Sequence, residues 1–159
     1  MATPDSPVFI PRPGARVLLV NAAGRVLLLR GSDPARPGVR YWFTVGGGLD
    51  AGETPAEGAA RELYEETGLS VPVTALGERV WHEVAEFPFD GLWYRQEQEF
   101  FLVRVGEWQV SQDGWCDLER RTVDAVRWWS VPELETTDET YYPVELPVLL
   151  RRLLAGGEV

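Results

Sequence analysis

The stretch from Thr54 to Thr67 carries the clearest set of helix signals in this 159-residue chain. Thr54 is a favourable N-cap residue, and Pro55 suits the first helical position. Glu57 stands three residues after Thr54, where its carboxylate can complete a capping box. Gly68 follows at the position where a glycine commonly ends a helix. The sequence therefore predicts one sharply delimited helix, around which the other elements must pack.

The residues before this helix predict strands. Apolar runs over 15–20 and 25–30 flank a turn at 21–24, a pattern typical of a β-hairpin. The segment 31–40 contains two prolines and two glycines and predicts a loop. Residues 41–45 then form a short predicted strand that leads into three successive glycines.

The residues after the helix predict further strands and a closing helix. Long strands are expected over 71–87 and 92–105, followed by a polar loop over 106–121. A strand over 123–129 and a helix over 143–154 complete the chain. Strands on both sides of a helix, then more strands and a helix, indicate an α/β fold in which helices sandwich a mixed β-sheet.

Length and composition predict one domain over residues 14–159, preceded by a proline-containing and poorly ordered arm over residues 1–13. The apolar content of 45% is typical of a globular protein, and no apolar run is long enough to span a bilayer. Cys116 is the only cysteine, which rules out an intramolecular disulfide. These features favour a cytoplasmic protein without a membrane partner.

The formal net charge of −10 limits the partners that this chain can bind. An acidic surface repels the phosphate backbone of nucleic acids, so the sequence argues against binding of a nucleic-acid duplex. A small anionic substrate remains compatible with this charge if metal ions neutralise the local field. The sequence does not define the oligomeric state, and a homodimer stays open.

Three glutamates share one side of the predicted helix. With Glu62 at 0°, Glu66 lies at about 40° and Glu65 at about −60°, because successive residues advance by 100°. Like charges at this spacing destabilise a helix by a few tenths of a kcal/mol per pair. An acidic solvated face explains the helix alone equally well, but clustered carboxylates are also what hard cations such as Mg²⁺ bind.

The residues around these three glutamates, and their spacing, distinguish between these two interpretations. It resembles the Nudix box, in which a glycine and a glutamate precede an Arg-Glu-aliphatic-x-Glu-Glu-x-Gly-aliphatic run. Each specified position is matched over Gly47 to Leu69, by Gly47, Glu53, Arg61, Glu62, Leu63, Glu65, Glu66, Gly68 and Leu69. The chain is therefore identified as a member of the Nudix hydrolase superfamily, which implies an α/β/α sandwich. Val45 departs from the proline that many members have before the box.

The resemblance implies a site for Mg²⁺, for which Mn²⁺ can substitute. Glu65 and Glu66 are expected to bind the metal directly, and Glu62 is expected to bind it or to act as a base through water. The backbone carbonyl of Gly46 is expected to complete the coordination. Arg61 is expected to assist catalysis by forming ion pairs that orient these carboxylates.

Substrate contacts are expected from residues near the start of the box. Gly47 and Gly48 would let a substrate approach the backbone closely, and Trp42 would stack against a base. Packing of Trp42 in the core is the competing interpretation.

A fourth carboxylate is expected to supply the general base, since three helix acids crowd one side of the metal. Related sequences often carry a glutamate just ahead of a late strand, which favours Glu119. A surface ion pair between Glu119 and the neighbouring Arg120 or Arg121 is the alternative. Glu62, Glu97 and Glu99 are further candidates for the base, the last two because they alternate onto one strand face.

The expected activity is hydrolysis of a diphosphate linkage in a nucleoside diphosphate joined to another group. The substrate is left open among nucleoside triphosphates, ADP-ribose-like compounds, dinucleoside polyphosphates and nucleotide sugars. A non-catalytic nucleotide-binding or regulatory module is the alternative, although such modules tend to lose the glutamates that this chain keeps. An isomerase that uses Cys116 is disfavoured because this thiol lies far from the box, and His82 is expected to be an ordinary strand residue.

Overall fold

A seven-stranded mixed sheet forms the centre of the computed structural model, which describes residues 8–155. The strands are β1 (Phe9–Val20), β2 (Val26–Asp33), β3 (Arg36–Gly48), β4 (Trp81–Phe89), β5 (Leu92–Arg104), β6 (Val123–Trp129) and β7 (Tyr141–Tyr142). The helices are α1 (Pro55–Thr67), α2 (Asp117–Thr122), α3 (Val131–Thr136) and α4 (Leu146–Leu154), and a 3-10 turn covers Val73–Leu76.

The strand order is β4-β5-β1-β2-β3-β7, and β6 pairs with the free side of β2. Strand β1 forms a parallel ladder with β5 along its whole length, while most other pairs are antiparallel. Near its centre β1 also pairs with the end of β3, where Arg16 lies opposite Gly46. This pairing fixes the glycine-rich end of β3 against β1 and brings it close to α1.

Two apolar cores lie on opposite faces of the sheet, because successive side chains of a strand point to opposite faces. On one face, Val17 and Leu19 of β1 pack in a cluster with Leu63 of α1. On the other face, Leu18 packs in a cluster with Leu150 of α4. The predicted α/β/α sandwich with a mixed sheet is confirmed.

Both ends of α1 are as the sequence predicts. The Thr54 hydroxyl accepts a hydrogen bond from the Glu57 amide (3.2 Å), and the Glu57 carboxylate accepts one from the Thr54 amide (2.9 Å). Gly68 ends the helix in the left-handed conformation with φ of 80°. Gly58 lets the Leu49 side chain pack closely against the helix, since a Cβ at Gly58 would overlap it.

The predicted N-terminal arm is wrong for residues 9–13, which belong to β1. Phe9 pairs with Trp93 of β5, and the parallel ladder then continues through Pro13. Prolines are tolerated here because the other partner of β1, strand β3, pairs only from Gly14 onward. Residues 1–7 lie outside the described part of the chain.

The predicted loop over 31–40 is also wrong, because β2 and β3 extend through it as a second hairpin. Only Pro34 and Ala35 lie between the two strands. The Asp33 carboxylate holds this turn by accepting a hydrogen bond from the Ala35 amide at 2.9 Å. An Asx-type side-chain contact thus replaces the open loop that the prolines and glycines suggested.

The second half of the chain contains more helix than the sequence predicted. The expected strand over 71–87 begins only at Trp81, after the 3-10 turn, and the expected loop over 106–121 ends in α2. Helix α3 was missed, although Ser130 and Glu133 form a capping box at its start. Strand β6 is confirmed over 123–129, and the closing helix begins at Leu146.

None of the helices within residues 8–155 is long and apolar enough to cross a membrane.

The cap of α1 can be tested by Thr54→Ala, which removes the hydroxyl acceptor of the Glu57 amide. We expect the free energy of unfolding to fall by about 1 kcal/mol and the melting temperature by roughly 2–4 °C. Urea and thermal denaturation measure both quantities. Thr74→Ala, at an exposed position without a recorded side-chain hydrogen bond, is the matched control. Equal stability of the two variants would contradict the capping role.

Candidate active site

Three carboxylates meet where α1 and α2 approach the end of β3. One oxygen from each of Glu62, Glu66 and Glu119 lies within 4.8 Å of the other two. Glu62 and Glu66 lie one turn apart on α1, and Glu119 comes from α2. Glu66 is only 3% exposed, so at least one of these charges is removed from water.

Glu66 is held in place by the backbone of Gly46. The Gly46 amide donates a hydrogen bond of 2.7 Å to the Glu66 carboxylate. Gly46 has φ of 133°, and a Cβ there would overlap the Ala15 carbonyl and the Arg16 backbone. A glycine is therefore required for this approach. The Gly46 carbonyl, an expected metal ligand, accepts a hydrogen bond from Arg16 Nη1 at 3.0 Å.

Burial and mutual repulsion disfavour the ionised forms of two of these acids. Burial raises the pKa of Glu66 well above the ordinary range, and the charges of Glu62 and Glu119 raise it further. Burial also raises the pKa of Glu62, and Arg61 partly opposes this shift. Within the described residues, no arginine forms an ion pair with Glu66 or Glu119. The site therefore holds more negative charge than its surroundings compensate.

Arg61 connects the surrounding acids, as the sequence predicted. Its guanidinium binds Glu53 in a bidentate arrangement, with Nε–Oε2 and Nη2–Oε1 distances of 2.7 and 3.0 Å. Nη1 lies 3.3 Å from Glu62 and 3.2 Å from Glu65. Nη2 also donates to the Gly48 carbonyl at 3.2 Å. The hydrogen bond from Arg61 lowers the pKa of Glu53, which keeps this acid ionised.

Glu65 does not join the cluster of Glu62, Glu66 and Glu119. Its side chain is 41% exposed and turns toward Arg61. The two acids at the end of the helix thus face different surroundings, as their separation of about 100° around the axis requires. Direct metal binding by Glu65 stays a prediction.

The loop before α2 places Glu119 beside α1. The Trp108 indole donates to the Thr67 carbonyl and the Trp115 indole donates to the Glu66 carbonyl, both at 2.9 Å. These bonds satisfy carbonyls that the end of a helix leaves without partners. The Cys116 amide then donates to the Glu119 carboxylate at 3.0 Å, which fixes its orientation at the start of α2.

The sequence pointed to Glu119 but missed the helix that positions it. The Cys116–Glu119 spacing is that of a capping box, but cysteine at the N-cap is a weak signal. Glu119 does not form the alternative surface ion pair, since Arg120 binds the carbonyls of Trp115 and Gln112. The rival acids lie elsewhere: Glu97 is exposed, and Glu99 accepts a hydrogen bond from Arg79.

The prediction that Trp42 stacks on a substrate base is wrong. Trp42 is 4% exposed and packs edge to face against Trp129, with ring centroids 5.2 Å apart. Its indole N–H donates to Glu139 at 3.1 Å. Trp42 shares its sheet face with the α3–α4 core, and this packing buries it.

The remaining candidate residues divide between the site and the surface. A Cβ at Gly47 would lie 3.0 Å from Glu62 Oε1, so Gly47 borders the carboxylate cluster, and Gly48 contacts Arg61 through its carbonyl. Substrate binding by these two glycines stays a prediction. His82 is an exposed residue of β4, as expected, and Cys116 is exposed at the start of α2.

Comparison with known proteins identifies the family. The NUDIX domain matches this chain over residues 10–150. The chain belongs to the Nudix family.

Curated RNA pyrophosphohydrolases match this chain over most of their own length. An RNA pyrophosphohydrolase of Sphingopyxis alaskensis is 32% identical over 134 residues, which cover 78% of this chain and 80% of that protein. A 54% identical match to an octanoyltransferase of Myxococcus xanthus spans only 55 residues, or 15% of that protein. That short match leaves most of the octanoyltransferase without a counterpart in this Nudix chain.

Solved structures share the Nudix fold. The MutT protein of Methanosarcina mazei has a TM-score of 0.64 and 22% identity, covering 94% of this chain and 95% of its own. A bifunctional NMN adenylyltransferase/ADP ribose pyrophosphatase of Francisella tularensis, complexed with AMP and a manganese ion, has a TM-score of 0.61 and 19% identity. The match covers 96% of this chain and 44% of that one.

The raised pKa values predict how stability depends on pH when a chelator keeps the protein free of metal. A folded acid with a raised pKa holds its proton at pH values where the unfolded chain has lost it. The free energy of unfolding should therefore fall as the pH rises above the ordinary glutamate pKa of about 4.3 and through the raised values of Glu66 and Glu62.

Glu66→Gln should be more stable than the wild type at neutral pH. Its free energy of unfolding should also fall less than that of the wild type as the pH rises. Urea denaturation across pH, with the exposed Glu97→Gln as control, measures this difference. Superimposable pH profiles for wild type and Glu66→Gln would show that Glu66 carries no such penalty.

Proposed function

We propose that this chain is a Mg²⁺-dependent hydrolase that cleaves the diphosphate linkage of a nucleotide-type substrate, and that Mn²⁺ can replace Mg²⁺. The observation that carries the proposal is the convergence of Glu62, Glu66 and Glu119. Holding three acids together at a partly buried position costs stability, so a function must retain them. A bound divalent cation would convert this repulsion into attraction.

The donor atoms of the site suit a hard cation. They are carboxylate oxygens, which Mg²⁺ prefers, and the site contains no thiolate or imidazole among the described residues. Glu62 and Glu66 would hold the ion with Glu119 facing it, and Glu65 would reach it after a side-chain rotation away from Arg61. When bound, the metal supplies charge neutralisation of the diphosphate and a lower pKa for an attacking water.

Glu119 is our candidate for the general base. The hydrogen bond from the Cys116 amide occupies Oε1, which leaves the other carboxylate oxygen for a proton. Glu119 also comes from a different helix than Glu62 and Glu66, so it faces the site from another direction. Proton removal by Glu119 would let water attack phosphorus, with a phosphate monoester as one product.

The relatives and the charge of the chain support the proposed substrate class. Several curated relatives are named RNA pyrophosphohydrolase, and one structural neighbour is named as a bifunctional NMN adenylyltransferase/ADP ribose pyrophosphatase. With a net charge of −10, the chain is poorly suited to a long nucleic-acid footprint or a duplex. We therefore propose a free nucleotide derivative, handled in the cytoplasm, or at most the 5′ end of an RNA.

Glu66→Gln tests the role of the cluster, because it keeps the side-chain shape and the acceptor for the Gly46 amide but removes the charge. Turnover should fall at least about a hundredfold. Colorimetric phosphate release with a coupled phosphatase measures it, and Glu78→Gln, an exposed change without a recorded partner, is the control. A folded Glu66→Gln with near-wild-type turnover would contradict the proposal.

Glu119→Gln tests the base. We expect most of the turnover to be lost and the acidic limb of the pH–rate profile to change, while Mg²⁺ affinity changes little. Glu97→Gln and Glu99→Gln should keep the wild-type rate, since both acids lie outside the cluster. A wild-type profile for Glu119→Gln would assign the base to Glu62.

A substrate panel with Mg²⁺ separates the proposed enzyme from a non-catalytic binding module. It contains nucleoside triphosphates, ADP-ribose, dinucleoside polyphosphates, nucleotide sugars and a 5′-triphosphorylated RNA. We expect metal-dependent cleavage of at least one nucleotide, abolished by chelator, and a higher melting temperature with Mg²⁺ than with chelator. Binding without cleavage of any compound would favour the non-catalytic module.

A further inference from the structure

Arg16 of β1 brings a positive charge from the sheet close to Glu66 and Glu62. It lies on β1 opposite Gly46, on the sheet face that continues from Leu18 toward α3 and α4. Its guanidinium and Glu66 bind opposite ends of the same residue: Arg16 Nη1 binds the Gly46 carbonyl, and Glu66 binds the Gly46 amide. The two side chains are therefore separated by a single glycine.

The partners of Arg16 are all neutral. Nη1 donates to the carbonyls of Thr44 and Gly46 at 3.1 and 3.0 Å, and Nε donates to Gln98 Oε1 at 3.1 Å. No carboxylate of the described residues lies within ion-pair distance of this guanidinium. Burial lowers the pKa of Arg16, while the nearby charges of Glu66 and Glu62 raise it.

The amide of Gln98 fixes the guanidinium in this orientation. Gln98 Oε1 also accepts from Gln96 Nε2 at 2.8 Å, and Gln98 Nε2 donates to Glu83 at 2.9 Å. Because Arg16 can only donate and an ionised Glu83 can only accept, the Gln98 amide oxygen must face Arg16 and its nitrogen must face Glu83. Arg16 is thus held by β3 on one side and by β5 on the other.

One nitrogen of Arg16 has no hydrogen-bond partner. Nε and Nη1 make all the bonds recorded for this side chain within residues 8–155, and Nη2 makes none. Two N–H groups therefore stay available on a fixed, half-buried cation beside a candidate metal site. By contrast, each side-chain nitrogen of Arg61 on α1 already contacts a carboxylate or the Gly48 carbonyl.

We propose that Arg16 Nη2 binds a phosphoryl oxygen of the substrate, so that Arg16 forms an anion subsite on the sheet side of the carboxylate cluster. The proposal rests on the proposed function and specifies how this chain holds a diphosphate. A guanidinium whose hydrogen-bond partners are neutral gains a directly bound anion when a phosphate arrives. Two rigid acceptors on β3 and one on β5 place the donors before the substrate binds.

Arg16→Gln and Arg16→Lys test the subsite. The probe is methylenediphosphonate, which cannot be hydrolysed at its bridging carbon, titrated into Mg²⁺-saturated protein by calorimetry. We expect Arg16→Gln to weaken binding of the probe at least about tenfold. Arg16→Lys should weaken it less, because lysine keeps the positive charge but loses the planar set of guanidinium N–H donors. KM for the nucleotide substrate should rise by a similar factor with kcat changed much less.

A purely structural role of Arg16 would produce a different pattern. Loss of the hydrogen bonds to Thr44 and Gly46 would lower the melting temperature and disturb Glu66. Both kcat and Mg²⁺ affinity would then fall, and affinity for the probe would fall only as far as Mg²⁺ affinity does. Unchanged Mg²⁺ affinity with weakened probe binding therefore supports the subsite. Arg25→Gln, at an exposed position after the β1–β2 turn, is the matched control and should bind the probe like the wild type.

The wild-type protein provides a test that does not depend on variants folding. In a ¹⁵N-arginine spectrum, the Arg16 side-chain signal, assigned by its absence in Arg16→Lys, should shift on addition of the probe. No shift, or full probe affinity in a folded Arg16→Gln, would overturn the subsite even if the wild type hydrolyses nucleotides. Arg16-dependent probe binding without hydrolysis of any substrate would instead overturn the proposed function alone.

Discussion

The hydrogen bond from the Gly46 amide to Glu66 connects the sheet to the helix of glutamates, and the candidate site depends on it. It forms because a glycine with positive φ lets β3 approach both β1 and α1 closely. It buries a carboxylate that has no ion-pair partner among residues 8–155, next to Glu62 and Glu119. The fold thus accepts a local electrostatic penalty at the junction of three elements, and this penalty is what a divalent cation would remove.

The two arginines near this junction, Arg61 and Arg16, make different contacts. Arg61 binds the outer acids Glu53 and Glu65 and also contacts Glu62 of the cluster. Arg16 approaches from the opposite face of the sheet, and its hydrogen-bond partners among residues 8–155 are all neutral. One arginine therefore pairs directly with carboxylates, whereas the other does not. Under the proposed function, a divalent cation and the Arg16 guanidinium would together offset the charge of a bound diphosphate.

Local sequence signals predicted α1, its caps, the turn between β1 and β2, and the proximity of Glu62 and Glu66, because each depends on contacts within a few residues. Contacts between distant segments were not predictable in the same way. The sequence left Trp42 between base stacking and core packing, and packing against Trp129 buries it. No local signal singled out Arg16 within the predicted strand over 15–20, because the acceptors around it come from β3 and β5. Glu119 could be named from its position ahead of β6, but the loop whose indoles cap α1 was not visible in the sequence.

The central claim is that the cluster stores repulsion which a divalent cation relieves, and proton release on Mg²⁺ binding tests it most directly. Calorimetric titrations in two buffers of different ionisation enthalpy measure the number of protons released. Because burial and neighbouring charge raise the pKa values of Glu66 and Glu62, we expect net proton release at mildly acidic pH, with the release fading as the pH rises and diminished in Glu66→Gln. Mg²⁺ binding with no proton release at any pH, or release that is unchanged in Glu66→Gln, would contradict the account.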